Sequence, residues 1–167
     1  MPSKSAFPRI AASLALLLAL LTGCGFHLQG RMPLPEAIRT VHVEAVDEQS
    51  DFTQALRANL ISSGAHLMDG PSPAAATLKI SVDKVTERVL TVSTRNIPTD
   101  YELTYQVEIS VRGAGRELMA PQKMSLSRIY SFDETKLLAK DREKQILLDA
   151  LARDIAGVVL RRLSTLQ

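Results

Sequence analysis

Two sets of residues in this 167-residue chain have types and spacing that could do chemistry. The first is Cys24, the only cysteine, which follows the uncharged run Ile10–Leu21 and the small residues Thr22 and Gly23. A lone thiol has no internal disulfide partner, so its chemistry is that of a nucleophile or of a free thiol. The second is a set of cations, Arg95 beside Asn96, then Lys136, Lys140 and Arg142. If the strands between them are antiparallel, both stretches fall at one end of a sheet and form a small basic tip, an anion site in outline. The same residues also read as ordinary solvated loop charges.

Other chemistry finds little support. His27, His42 and His66 are not spaced as a metal-binding pair, and no second cysteine could complete a site. No G-x-S-x-G elbow and no G-x-x-x-x-G-K-[ST] phosphate loop occurs. Gly113-Ala114-Gly115 is more simply a hairpin turn. The reading is of a non-enzyme with no metal and no cofactor.

Residues 1–23 carry Lys4 and Arg9 ahead of the apolar run and end on small residues, the three parts of a secretory signal. About a dozen apolar residues in a helix reach roughly 18 Å, short of a ~30 Å hydrocarbon core, so the run suits export better than a stable span. Leu21-Thr22-Gly23-Cys24 resembles the lipobox of bacterial lipoproteins. That resemblance implies a diacylglycerol on the Cys24 sulfur, cleavage before Cys24 and acylation of the new amino group. Two or three acyl chains anchor firmly where one holds only marginally. The residue after Cys24 is Gly25, not the Asp that retains lipoproteins at the inner membrane, which favours the outer membrane.

Cleavage leaves 144 residues, one ordinary domain able to bury a core without staples. Lys4 and Arg9 leave with the signal, so the mature chain balances 18 basic against 18 acidic side chains. Bulk charge gives no reason to expect nucleic acid. Residues 24–36, with Pro33 and Pro35, read as an extended lipidated tether, and residues 37–167 as a single domain.

Within that domain Ile38–Ala45 alternates as a strand. Asp51-Phe52-Thr53-Gln54 reads as a capping box opening a helix over 51–63, with Gly64 as its stop. Ala65–Met68 is a short strand. Leu78, Ile80 and Val82 share a face, but Val85 and Val89 take the opposite parity, which predicts a bulge or a strong twist near Asp83-Lys84. Tyr101, Leu103, Tyr105, Val107, Ile109 and Val111 alternate with polar residues as a half-buried strand. Leu118, Met124, Leu126, Tyr130 and Phe132 share a parity, with Pro121 marking an edge-like start. A helix follows from about Asp141 to Leu163, its stripe including Leu147, Leu151, Ile155 and Val159. The expected fold is α+β, a two-layer sandwich of a mainly antiparallel four-stranded sheet with two helices on one face.

The start "CGFHL", the middle "TRNIPTDYELTYQVEISV" and the end "LLAKDREKQILLDALARDIAGVVLRRL" together resemble the LPS-assembly lipoprotein LptE family, over essentially the whole mature chain. The resemblance implies a two-helix, four-stranded sandwich that plugs the lumen of an LptD-type outer-membrane β-barrel. The pair places lipopolysaccharide in the outer leaflet. It also gives the basic tip a ligand, since lipopolysaccharide carries phosphates, which Arg binds bidentately and Lys as a point charge. Arg95 and Lys140 are the candidate lipopolysaccharide-binding residues, with Lys136 a weaker one. The location implied is the outer membrane, lipid-anchored, with the domain on the periplasmic side and within the barrel. The competing readings are a stand-alone lipid-binding lipoprotein without a barrel and, for want of a nucleophile and base, more remotely a periplasmic hydrolase.

Cys24→Ala should abolish lipidation and leave the chain uncut or soluble. Labelled fatty acid still appearing on that variant would show the anchor to be elsewhere.

Overall fold

The structure is a computed structural model that describes residues 32–131 and 137–166. After a short 3-10 turn at Glu36–Ile38 come β1 (Thr40–Ala45), α1 (Asp51–Ser62), β2 (His66–Met68), β3 (Ala76–Val92), β4 (Pro98–Gly113), β5 (Arg116–Ser131) and α2 (Leu137–Ser164). One sheet runs in the order β2-β1-β3-β4-β5. The α+β sandwich expected from the sequence is present, with five strands in place of four and two parallel pairings added to the long antiparallel ladders. β1 is parallel to both β2 and β3, while β3, β4 and β5 form an antiparallel meander. The physical reason is α1. A helix between β1 and β2 carries the chain back along the sheet, so the short His66–Met68 segment returns parallel to β1 and adds a strand at that edge.

Local chemistry sets the element ends. The N-cap of α1 is Ser50, whose Oγ accepts from the Thr53 amide at 3.0 Å, one residue ahead of the capping box expected at Asp51. Gln54 donates instead to the Glu48 carbonyl, at 2.9 Å. Gly64 ends the helix with φ +90°, and the Ala65 amide reaches back to the Leu60 carbonyl at 3.0 Å, a Schellman closure. Ala114 and Gly115 both have positive φ, which makes the β4–β5 connection a tight hairpin turn.

The core lies between one sheet face and the two helices. Val41, Val43, Leu78, Ile80, Leu103, Val107, Ile109 and Val111 meet Phe52, Leu56 and Leu60 of α1 and Leu151, Ile155, Val159 and Leu163 of α2. The chain enters this core earlier than its prolines suggest, because Leu34 and Ile38 are both buried. Pro121 sits where the β4–β5 register shifts, on an edge strand as expected, since it cannot donate to a ladder. Phe132 lies outside the described residues.

The parity slip in β3 falls at Ser81, two residues before the expected place. Ile80 pairs with Ile109 but Val82 with Glu108, so Ser81 is the extra residue. Ser81 Oγ donates to the Glu108 carboxylate at 2.9 Å. Beyond the bulge Asp83, Val85, Glu87 and Val89 face the helix side, opposite Val107, Tyr105, Leu103 and Tyr101. Asp83 then accepts from Ser50 Oγ of the α1 cap and from the Tyr105 hydroxyl at 2.8 Å. Burial of Tyr105, and next its bond to Asp83, push the phenol well above the ordinary tyrosine range. One carboxylate thus ties α1 to two strands.

Asp83→Ala should cost about 1–3 kcal/mol, because the buried Tyr105 hydroxyl loses its acceptor. Chemical denaturation would measure it, with Asp83→Asn, which keeps an acceptor, expected to lose less.

Candidate functional site

The β3–β4 connection is a five-residue turn built by Ser93. Its amide donates to the Ile97 carbonyl at 2.7 Å, its carbonyl accepts from the Asn96 amide at 2.9 Å, and its Oγ accepts from the Ile97 amide at 3.2 Å. Asn96 takes φ +59°, a left-handed conformation that Asn tolerates better than most residues. This leaves Arg95 at the exposed apex, with no ion pair among the described residues.

The antiparallel meander brings the end of β5 to the same end of the sheet, since Asp100 pairs with Ser131 just below the apex. There α2 begins at Leu137, one turn earlier than the periodicity suggested, so Lys140 lies in its first turn. The backbone therefore puts the Arg95 turn and the helix segment carrying Lys140 at one end. Lys136 and Cys24 lie outside the described residues. Of the histidines, His42 donates from Nδ1 to the Met68 carbonyl at 3.0 Å and His66 is an exposed β2 residue.

Below the apex the polar groups are satisfied among themselves. Asp100 accepts from Thr91 and, at 2.7 Å, from Ser131, and these hydroxyls hold its carboxyl below the ordinary aspartate range. On the helix side Tyr101 and Tyr130 stack with ring centres 5.6 Å apart. The Tyr130 hydroxyl and Lys144 Nζ both donate to Glu87. Burial alone would raise the Glu87 carboxyl, but the bonds from Lys144 and Tyr130 outweigh it and hold it below the usual range. Burial, followed by the bond to Glu87, raises the Tyr130 phenol. Arg128 to Asp154 at 2.7 Å and Arg162 to Gln122 at 3.0 Å tie the rest of α2 to β5.

Glu87, Tyr130 and Lys144 are the residues that sequence reasoning missed. They link β3, β5 and α2 one helical turn after Lys140, and so fix the first turns of α2 against the hairpin. A signal existed: Lys140 and Lys144 are four apart, and the parity slip turns Glu87 inward.

Two open clefts, of about 260 and 250 Å³, lie elsewhere. One is lined by His42, Glu48, Arg57 and Asp69, the other by Glu44, Lys79, Arg112 and Glu117. Neither includes a residue of the apex. Among the described residues no three His, Cys, Asp or Glu side chains converge as a metal site.

A two-layer α+β domain with a long meander is the architecture of a group of solved bacterial lipoproteins. Rare lipoprotein B from Shewanella oneidensis superposes with a TM-score of 0.68 at 24% identity, over 75% of this chain and 94% of that one. A lipoprotein B from Nitrosomonas europaea gives 0.70 at 25% identity, over 84% and 90%. The profile of the LptE family, lipopolysaccharide-assembly, matches residues 38–163, and the chain belongs to that family. The LPS-assembly lipoprotein LptE of Pectobacterium atrosepticum is 23% identical over 154 residues, 92% of this chain and 83% of that protein. Membership sets the chain among proteins of lipopolysaccharide assembly rather than among enzymes.

The Glu87 contacts carry a pH signature. A carboxyl held below its ordinary range adds stability that is full above the unfolded glutamate value, ~4.3, and is lost as pH falls through the lower folded value. Glu87→Gln should therefore cost about 0.5–1 kcal/mol near neutrality. In denaturation curves taken across pH, that cost should shrink below about pH 4.

Proposed function

We propose that this chain is an outer-membrane lipoprotein, anchored through Cys24, that plugs an LptD-type β-barrel and takes part in delivering lipopolysaccharide to the outer leaflet. Its domain stands on the periplasmic side and within the barrel lumen. Arg95 and Lys140, with Lys136 as a weaker contributor, contact lipopolysaccharide phosphate directly.

Family membership supports the pathway. The observation that carries the phosphate contact is Arg95. It sits at the apex of a hairpin that runs beyond the covered core, engaged by no acid among the described residues. It shares that end with the segment in which Lys140 opens α2. The nearest carboxylate on the hairpin, Asp100, is occupied by hydroxyl donors and does not compete as an ion pair. A guanidinium free to present two donors suits a phosphate oxygen pair, and a lysine adds charge without geometric demand.

Replacing Arg95 and Lys140 together with Asp should weaken lipopolysaccharide binding by the isolated domain about tenfold or more at low salt. Stability should change by no more than roughly 0.5 kcal/mol per site, and barrel association should hold. Wild-type binding should itself fall as salt rises. Equal lipid binding by both proteins would remove the apex from the ligand site. Loss of barrel recovery with unchanged lipid binding would move these residues to the barrel contact.

A further inference from the structure

β1 lies beside β3 only as far as Ile80, where the Val46 amide makes the last bond across, at 3.3 Å. From Val82 to Val92 β3 is paired on its β4 side alone, and among the described residues no strand pairs with its other side. Eleven residues at about 3.3 Å each make a bare edge of roughly 36 Å. Such an edge presents a row of unpaired amides and carbonyls and is a template for another strand. Of the other two edges, β2 has three residues, and β5 shifts register around Pro121 and runs regularly from Gln122 to Ser131; the β3 edge is regular from Val82 to Val89 and shifts register between Val89 and Val92.

The side chains along this edge discriminate between occupants. A second copy lying antiparallel in the same sheet must face odd positions with odd and even with even, because opposed residues share a side. Centring such a pair on any residue from Lys84 to Arg88 then opposes like charges. These are Lys84 with itself, Asp83 with Glu87, Lys84 with Arg88, Glu87 with itself, or Arg88 with itself. Self-pairing is rejected across the centre of the edge.

A foreign strand meets a patterned surface. On the helix side Val85 and Val89 are 41% and 46% exposed, and Glu87 between them is engaged by Lys144. On the open side Arg88 is paired with Glu102, whereas Lys84 has no ion pair among the described residues. We infer that the Val82–Val92 edge accepts an extended segment of the barrel partner by strand addition. That segment places apolar residues beside Val85 and Val89 and an acidic residue opposite Lys84. Backbone bonds give the affinity and the alternating side chains the register.

This inference rests on the barrel reading above, and hydrogen exchange separates the two. The lipidated full-length chain is measured alone and co-purified with its barrel. Alternate amides within 82–92 should slow by about tenfold or more in the complex, while those of 76–80, already paired to β1, should not change. Lys84→Glu should reduce that protection several-fold. A barrel that co-purifies without protecting these amides overturns strand addition alone, and full protection of the Lys84→Glu chain overturns the acidic register. Protection appearing in a concentration-dependent dimer without barrel makes the occupant a second copy and overturns the inference. Recovery of no barrel at all overturns both readings.

Discussion

One inserted residue divides this molecule into two functional halves. Before Ser81, β3 is an ordinary core strand, with Leu78 and Ile80 buried against the helices and β1 alongside. After it the alternation inverts, so Asp83 and Glu87 point to the side that held leucine and isoleucine. A carboxylate facing a helix layer is costly unless donors meet it. Each of these two has its donors, from Ser50 and Tyr105 in one case and from Tyr130 and Lys144 in the other. The bulge therefore converts a greasy strand into a polar rail along which both helices are fixed.

Those contacts explain how the apex can be exposed and still be well placed. A hairpin extending past its core is marginal by itself. Here the Tyr101–Tyr130 stack and the Lys144–Glu87 pair brace it to β5 and α2. The opposite sheet face contributes cross-strand pairs, Lys79 with Glu44 at 2.8 Å and Thr104 with Ser127 at 2.8 Å. They tie neighbouring strands together on that face.

The alternation of Tyr101 to Val111 made β4 legible in the sequence, since strict period two has one reading, and the stripe from Leu147 to Val159 did the same for α2. The parallel pairing was not legible. A three-residue β2 carries no periodicity, and whether β1 lies parallel or antiparallel to β3 depends on the path of α1. The α1 cap was misplaced by one residue because Ser50 and Asp51 are both good caps; the choice is made by Asp83, thirty-three residues away, which holds Ser50. The apex arginine could be found because a turn must lie between two strands. Its supporting carboxylate could not, because its facing depends on a bulge whose position the pattern gives only to within two residues.

The mixed sheet also sets an order of assembly. β3, β4 and β5 join sequence neighbours through short turns, so their ladders close small loops and form early. β1 is synthesised first, yet its place beside β3 exists only once the chain has passed Ile80. Until then β1, α1 and β2 have no sheet to join, and Phe52, Leu56 and Leu60 have nothing to cover them. The N-terminal third of this domain is thus the part most exposed to chaperones and proteases before the sheet closes.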